Sequence, residues 1–193
     1  MADGILKVGT ITTSSGSGTI TLGQSGETVD MANASTITLN SGMTNTPGFH
    51  AFLSANMESL SDNTAVKMQC NTERYDVTDV YDNSTNYRFT PGVIGRYFIY
   101  GAVLNTADSN SNMVESEVYI YKNGSSIGKS SFNYTSNYSK IAAPTISIVD
   151  DANATDYYEL YSAVNTNDGG AWKALADTTQ QRTYFGAYRI IGA

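Results

Sequence analysis

The chain has 193 residues, a formal net charge of -7 and only 15% charged residues. Its 23 Thr, 21 Ser, 17 Asn and 17 Gly are poor helix formers and exclude a helical protein, whereas 40% hydrophobic and 11% aromatic residues exclude a disordered one. The acidic charge excludes a nucleic-acid partner, and the single Cys and single His exclude an internal disulfide and the two-histidine metal motifs.

Two further features bear on where the protein acts. The chain has no run of about 18 apolar residues, so we expect no membrane-spanning helix and no membrane partner. Residues Met1–Lys7 lack the apolar stretch of a secretory signal. We therefore expect a protein that is made in a cytoplasm without a cleavable export signal.

Residues 9–40 repeat a short unit rich in Thr and Ile. The closest copies are Gly9–Thr13, Gly18–Leu22 and Ser35–Leu39, and Glu27–Met31 is a looser one. Apolar residues alternate with polar ones within the units, and this period of two predicts strands with one buried face. The expected core of this segment consists of Ile11, Ile20, Leu22, Val29, Ile37 and Leu39.

Such short strands cannot bury much surface alone, because a two-stranded ribbon is marginal in water. Repeated units of this kind need stacked neighbours or other chains to complete a core. We therefore predict that residues 1–45 form an attachment or stalk segment, either a trimeric β-prism or a short β-solenoid. A simple meander lying on the following domain is the alternative.

Residues 46–193 predict one β-sandwich. Short β-rich runs alternate with turn residues, and Asn123-Gly124 is a strong tight-turn signal between two of them. No window shows convincing helical periodicity. The predicted strands are Phe49–Ala55, Ala65–Asn71, Tyr87–Thr90, Arg96–Leu104, Glu115–Lys122, Ser126–Tyr134, Ala143–Val149, Tyr157–Asn165 and Thr183–Ile191.

Several of these strands carry apolar or aromatic residues on both faces. Val118 and Ile120 share one face of their strand, and tyrosines occupy the other. A strand that is apolar on both faces is buried on both, within the domain or against a partner, and Tyr suits subunit interfaces. A solvent-exposed tyrosine face is the alternative. The predicted interface residues are Tyr97, Tyr119, Tyr121, Tyr184 and Tyr188.

Five local patterns, in chain order, resemble the globular head of complement C1q within the wider tumour-necrosis-factor-like jelly-roll class. The residues that carry the resemblance are Ala51–Ala55, Tyr81–Phe98, Val118–Gly124, Asp156–Leu160 and Thr183–Tyr188. The resemblance covers about residues 49–191 and departs at Thr155, where the family usually has Gly. It implies a ten-strand jelly roll that assembles as a tight homotrimer, and it supplies no function by itself.

The N-terminal segment resembles the openings of many bacteriophage fibre and virion-surface proteins, on residues Leu6–Thr12 and the Gly-Ser-Gly turns that follow. We therefore expect a virion structural protein, assembled in a host bacterial cytoplasm beside a major capsid or tail protein. A capsid decoration, or head fibre, is favoured because the chain is short. A short tail fibre that binds a host glycan or protein, and a secreted C1q-like lectin, are the alternatives.

The remaining candidate sites are weak. Cys70 shares a face with Val66 and is interpreted as a small buried hydrophobe, and His50 has no carboxylate partner in sequence and is interpreted as packing at the domain entry. With no paired acid and base, we predict no enzyme and no cofactor. A candidate ligand loop contains Asn165, Asp168 and Trp172, and Trp172 together with exposed Tyr would suit stacking on a glycan.

Calcium is the one ion that the sequence keeps open. Asp108–Asn112 begins like a calcium loop, with oxygen ligands at alternate positions, but Met113 and Tyr119 stand where the motif needs Gly and Glu. Residues 150–156 form a second acidic cluster. Because some members of the resembled family bind calcium, a calcium ion on either loop remains a minor expectation.

Overall fold

The computed structural model describes residues 44–108, 111–135 and 139–191, which belong to the second of the two units into which the chain divides, Leu39–Ala193. The predicted stalk, residues 1–45, therefore lies almost wholly outside the described residues. The same is true of its predicted core, Ile11, Ile20, Leu22, Val29, Ile37 and Leu39.

The regular elements of the described residues are strands, as the excess of Thr, Tyr and other β-compatible residues predicts. None of the described residues belongs to a helix that could cross a membrane. In chain order the strands are β1 (Gly48–Phe52), β2 (Met57–Leu60), β3 (Val66–Lys67), β4 (Thr72–Val77), β5 (Tyr81–Asp82), β6 (Arg88–Phe89), β7 (Gly95–Ala102), β8 (Asn105–Ala107), β9 (Met113–Lys122), β10 (Ser125–Asn133), β11 (Ile141–Ala142), β12 (Thr145–Ala152), β13 (Tyr158–Thr166), β14 (Trp172–Ala174) and β15 (Tyr184–Arg189).

These strands form three antiparallel sheets. The first sheet has the order β12-β7-β15-β1-β4, and the second has the order β10-β9-β13-β6-β5, with β3 paired to β13. A smaller third sheet has the order β11-β8-β14-β2. Apart from the consecutive pairs β9–β10 and β5–β6, the neighbouring strands are separated in sequence by other strands, as in a jelly-roll sandwich. The predicted fold class is therefore confirmed for the described residues.

The core between the sheets is built on stacked aromatic rings. Phe49 lies parallel to Tyr81, with ring centroids 4.4 Å apart, and also contacts Phe89 and Phe185 at 5.0 and 5.1 Å. All four side chains are at most 3% exposed. Aromatic rings bury a large apolar area, so this cluster supplies much of the hydrophobic stabilisation at this end of the sandwich.

Alternation sets which side chains of the long strands face the core. Val118 and Ile120 of β9 are fully buried, and Phe185 and Ala187 of β15 face the core in the same way. The tyrosines between them therefore point outward, as the period of two predicts. The prediction that Val118 and Ile120 share one face of their strand and tyrosines the other is confirmed.

Some strands differ from the predicted ones. The run predicted at Ala65–Asn71 contains only the two-residue β3, and the longer strand β4 begins directly after it. Three of the six residues of β4 are charged, so no apolar alternation marks it. The strand exists because β1 pairs with it along five residue positions, with an irregularity between His50 and Ala51.

A group of charged residues ties β9, β12 and the start of β13 together. The ammonium of Lys122 lies 2.7 Å from a carboxylate oxygen of Asp150 and 3.2 Å from one of Asp156. The hydroxyl of Tyr158 donates to Asp150 at 2.6 Å. The amide of Asn123 and the backbone N–H of Asn153 donate to Asp156 and hold the pKa of its carboxyl below the usual range.

We predict that Lys122→Ala lowers the free energy of unfolding by about 1–3 kcal/mol, because it leaves the half-buried carboxylate of Asp150 and the buried one of Asp156 without their cation. Arg96→Ala is the matched control: Arg96 pairs with Asp151 at 2.7 Å, but both side chains are exposed to solvent, so its loss of stability should be clearly smaller than that of Lys122→Ala. Urea denaturation of the two variants measures both losses in the free energy of unfolding. Equal losses would contradict the prediction.

Candidate interaction surface

The outer face of the first sheet carries most of the exposed aromatic side chains. Register places Val149, Phe98 and Tyr188 on one row across β12, β7 and β15. The next row runs through Tyr100 and Gly186 to β1 and β4. We call this surface the tyrosine face, and its members are His50, Tyr75, Val77, Phe98, Tyr100, Val149, Tyr184 and Tyr188.

The rings of the tyrosine face form a continuous array. Tyr188 packs on Phe98 with centroids 5.4 Å apart, and Phe98 lies 5.7 Å from Tyr100. Tyr100 lies 6.1 Å from Tyr184, which in turn lies 5.3 Å from His50. The face therefore presents ring surface from one side of the sheet to the other.

Gly186 allows this arrangement. A Cβ atom at position 186 would lie 2.4 Å from the ring of Tyr100, so the ring occupies the space above the glycine. From there the Tyr100 hydroxyl reaches the Nδ1 atom of His50 at 3.2 Å. Burial and the neighbouring tyrosines Tyr75 and Tyr184 raise the pKa of Tyr100, which keeps its hydroxyl neutral.

The tyrosine face is exposed although it is apolar. Val149 is 56% exposed, Tyr75 42%, Val77 40% and Tyr188 37%. Monomeric soluble proteins rarely expose a contiguous apolar patch of this kind, and such patches mark contacts with partners. Few charges lie close to it: Arg96 pairs with Asp151 at one margin, and Arg74 of the edge strand β4 lies near His50.

The outer face of the second sheet is different, because its aromatic residues are mixed with charges. Tyr121 stacks on Tyr161 with centroids 4.2 Å apart. Beside this pair Lys129 contacts Glu117, and the ammonium of Lys67 lies 2.9 Å from a carboxylate oxygen of Glu159. This face therefore satisfies its own polar groups within the chain.

The structure divides the predicted interface tyrosines into three groups. Tyr184 and Tyr188 lie on the tyrosine face, whereas Tyr119 and Tyr121 lie on the opposite side of the sandwich. Tyr97 is fully buried, and its hydroxyl donates to the backbone carbonyl of Val93 at 2.9 Å. The assignment of Tyr97 to a subunit interface is therefore wrong, because its ring belongs to the core between the sheets.

Sequence reasoning missed the centre of the tyrosine face. It interpreted His50 as packing at the domain entry and did not single out Tyr75 or Tyr100. The signal was present in β7, where Phe98 and Tyr100 alternate with buried residues. The pairing of β1 with both β15 and β4, which brings these residues together, could not be read from either strand alone.

The predicted ligand loop does not present an aromatic platform. Trp172 is fully buried in the third sheet, and its indole N–H donates to the carbonyl of Ser61 at 2.9 Å. Asp168 accepts from the backbone N–H of Gly170, and Asn165 is half-buried on β13. The prediction that Trp172 stacks on a glycan is wrong, because its ring is a core residue.

The thiol of Cys70 and the carboxylate of Asp82 have structural roles in the fold. Burial raises the pKa of the Cys70 thiol to about 12, so its reactive thiolate is suppressed. An open polar cleft of about 680 Å³ contains Asp82, whose carboxylate accepts from the backbone N–H groups of Ser84, Thr85 and Asn86. This carboxylate therefore stabilises its own turn.

The acidic cluster considered for calcium is also engaged. Asp150 and Asp156 are held by Lys122, and Asp151 pairs with Arg96. In the described part of the chain, no three His, Cys, Asp or Glu side chains are grouped so that they could hold a metal ion. The other loop, Asp108–Asn112, lies partly outside the described residues.

Comparison with known proteins places the fold in a class. No protein-family profile and no curated protein sequence matches the chain. Among solved structures, the chain is similar to the Eiger TNF of S. frugiperda, with a TM-score of 0.54 and 10% identity over 76% of this chain and 92% of that one. It is also similar to murine APRIL, with a TM-score of 0.53 and 10% identity over 74% of this chain and 98% of that one.

A third similar structure is the globular domain of the zebrafish complement 1qA protein, with a TM-score of 0.50 and 13% identity over 75% of this chain and 97% of that one. At this identity the likeness concerns the fold alone. The fold of the described residues is therefore a C1q/TNF-like jelly roll, and the predicted fold resemblance is confirmed.

Proposed function

We propose that the chain is a homotrimeric head that acts by assembly and binding without catalysis, and that its copies associate through the tyrosine face. The observation that carries the proposal is this face itself: a continuous array of rings that is partly exposed in one protomer and has few charges, with the Arg96–Asp151 pair at one margin and Arg74 beside His50. Such a surface gains most from burial against a second copy. The trimer is also what the C1q-like resemblance implies.

Exposed apolar side chains on two other edge strands are candidates to receive this face. Ile127 is 42% exposed, Phe132 48% and Ile141 49%, on β10 and β11. Phe132 is opposite Ser116 of β9 in register and is exposed because β10 is the edge of its sheet. When the tyrosine face of one copy covers such an edge of the next, the contact is head-to-tail, and it forms a ring if the rotation between successive copies closes.

The purified full chain tests the assembly. Light scattering should give about three times the 20.7 kDa mass of one chain. Hydroxyl-radical footprinting should show Tyr75 and Tyr188 protected in this species. A monomer at micromolar concentration, or a trimer in which both tyrosines react freely, would overturn the proposal.

Within this proposal, we place the trimer on a virion surface as a capsid decoration. The support is the N-terminal repeat, which resembles phage fibre openings, together with the short chain and low charge. A short tail fibre is the competing placement. A secreted C1q-like module is equally consistent with the fold.

Copy number separates these placements. Quantitative mass spectrometry of purified particles should find hundreds of copies for a decoration and a few to tens for a tail fibre. Recovery of the protein outside cells without particles would support the secreted module. The neighbouring genes offer an independent check, because coat and portal genes would be expected beside a virion protein.

A further inference from the structure

The only histidine of the chain lies in the tyrosine face. His50 is surrounded by Tyr184, Tyr100 and Tyr75, with ring centroids 5.3, 5.9 and 6.4 Å away. Tyr184 and Tyr75 lie on β15 and β4, the two neighbours of β1, and Tyr100 lies on β7, one strand beyond β15. His50 is thus placed where association would remove it from water.

The groups that face His50 are neutral or cationic. Tyr100 comes from β7 and Tyr184 from β15, whereas β4 supplies Tyr75 and the cation Arg74. Gln181, from the loop before β15, is a neutral amide that accepts from Arg74 at 3.4 Å. No carboxylate in the described residues contributes to the electrostatics of His50.

This environment disfavours a charged imidazole. Burial is the main cause that lowers the pKa of His50, repulsion from Arg74 adds to it, and a hydrogen bond with Gln181 opposes both. A second copy over the tyrosine face would remove more water and increase the cost of the charge. The uncharged ring can keep its contact with the Tyr100 hydroxyl without that cost.

We propose that protonation of His50 weakens the contact between copies, so that the head assembly loosens in mildly acidic solution. This inference rests on the proposed trimer and adds its regulation. The physical reason is that the buried face then holds a second cation beside Arg74, without an anion from the described part of its own chain to compensate.

The sign follows from linkage. The pKa of His50 is already below 6.5 in the protomer, and association lowers it further, so the assembled state binds fewer protons. Association is therefore complete above the protomer's pKa and is lost as the pH falls through it. Each His50 that must release one proton changes the association constant by up to about tenfold per pH unit.

Sedimentation of the full chain between pH 8.0 and 5.5, with footprinting of Tyr75 and Tyr188, tests the proposal. We expect the assembly at pH 8.0 to dissociate, or its two tyrosines to become reactive, towards pH 5.5. His50→Gln can form a hydrogen bond with Tyr100 but cannot be charged. Its association constant should change less than about threefold between pH 8.0 and 5.5. His50→Arg carries its charge throughout this range and should associate weakly at both pH 8.0 and pH 5.5.

The outcomes separate the two proposals. A monomer at pH 8.0 would overturn the trimer. A trimer at pH 8.0 that persists at pH 5.5 with both tyrosines still protected, or that tightens on acidification, would overturn the role of His50 alone. The same conclusion would follow if His50→Gln dissociated with the wild-type pH dependence, because carboxylates would then be responsible.

Discussion

Tyr188→Lys combined with Val149→Lys is expected to convert the proposed trimer to folded monomers, with an association constant at least about 100-fold lower. Both side chains are exposed in the protomer, 37% and 56%, so each can be replaced without disturbing the core. They lie on one row of the tyrosine face, on either side of Phe98. Burying two unpaired ammonium groups there would cost several kcal/mol. Sedimentation velocity measures the loss, and circular dichroism verifies the fold.

Tyr121→Lys is the matched control, because it makes the same change on the outer face of the second sheet. Tyr121 stacks there on Tyr161, and the sequence predicted both tyrosine sets as interface residues. We expect this variant to remain trimeric. If Tyr121→Lys dissociates the trimer and the double variant does not, the subunit contact lies on the second sheet.

Trp172→Ala is expected to lower the free energy of unfolding by about 3–5 kcal/mol, because it leaves a large cavity in the third sheet. Trp172 is fully buried on β14, between β8 and β2, and its indole N–H is bonded to Ser61. A loss of this size would be a large fraction of the stability of a domain. Urea denaturation measures it.

Trp172→Phe separates the two contributions of this side chain. It keeps most of the apolar volume but removes the donor to Ser61, so we expect a smaller loss, about 1–3 kcal/mol. Because the chain has one Trp, its fluorescence reports this site alone. Emission should be blue-shifted and resistant to acrylamide. Ready quenching by acrylamide, or by an added glycan, would contradict the buried position.

The sequence predicted the architecture because alternation in the long strands is strong. In β9 the aliphatic residues Val118 and Ile120 alternate with tyrosines, and in β15 Phe185 and Ala187 alternate with Tyr184, Gly186 and Tyr188. The strands, and the side chains that share a face of each, could therefore be predicted. The same logic fails for Tyr97 in β7. That strand reads Tyr97-Phe98-Ile99-Tyr100, with large apolar residues on both faces, and sequence alone does not indicate which face is internal.

The candidate surface depended on long-range pairing. His50 and Tyr100 are brought together because β1 and β7 pair with opposite sides of β15. On β15 both residues lie opposite the same position, Gly186. A glycine in a strand signals a close approach but not its partner. Trp172 failed for a different reason: its loop-rich surroundings suggested exposure, whereas a three-residue strand buries it.

The strand β4 has a consequence for how large an assembly can become. It is the last strand of the first sheet, and three of its six residues, Glu73, Arg74 and Asp76, are charged. Asp76 also accepts from the backbone N–H groups of Val80 and Tyr81, which turns the chain away from the edge. A foreign strand that extended the sheet here would meet these charges, so the edge disfavours polymerisation. Growth of an assembly by strand addition is thereby disfavoured at this edge of the first sheet.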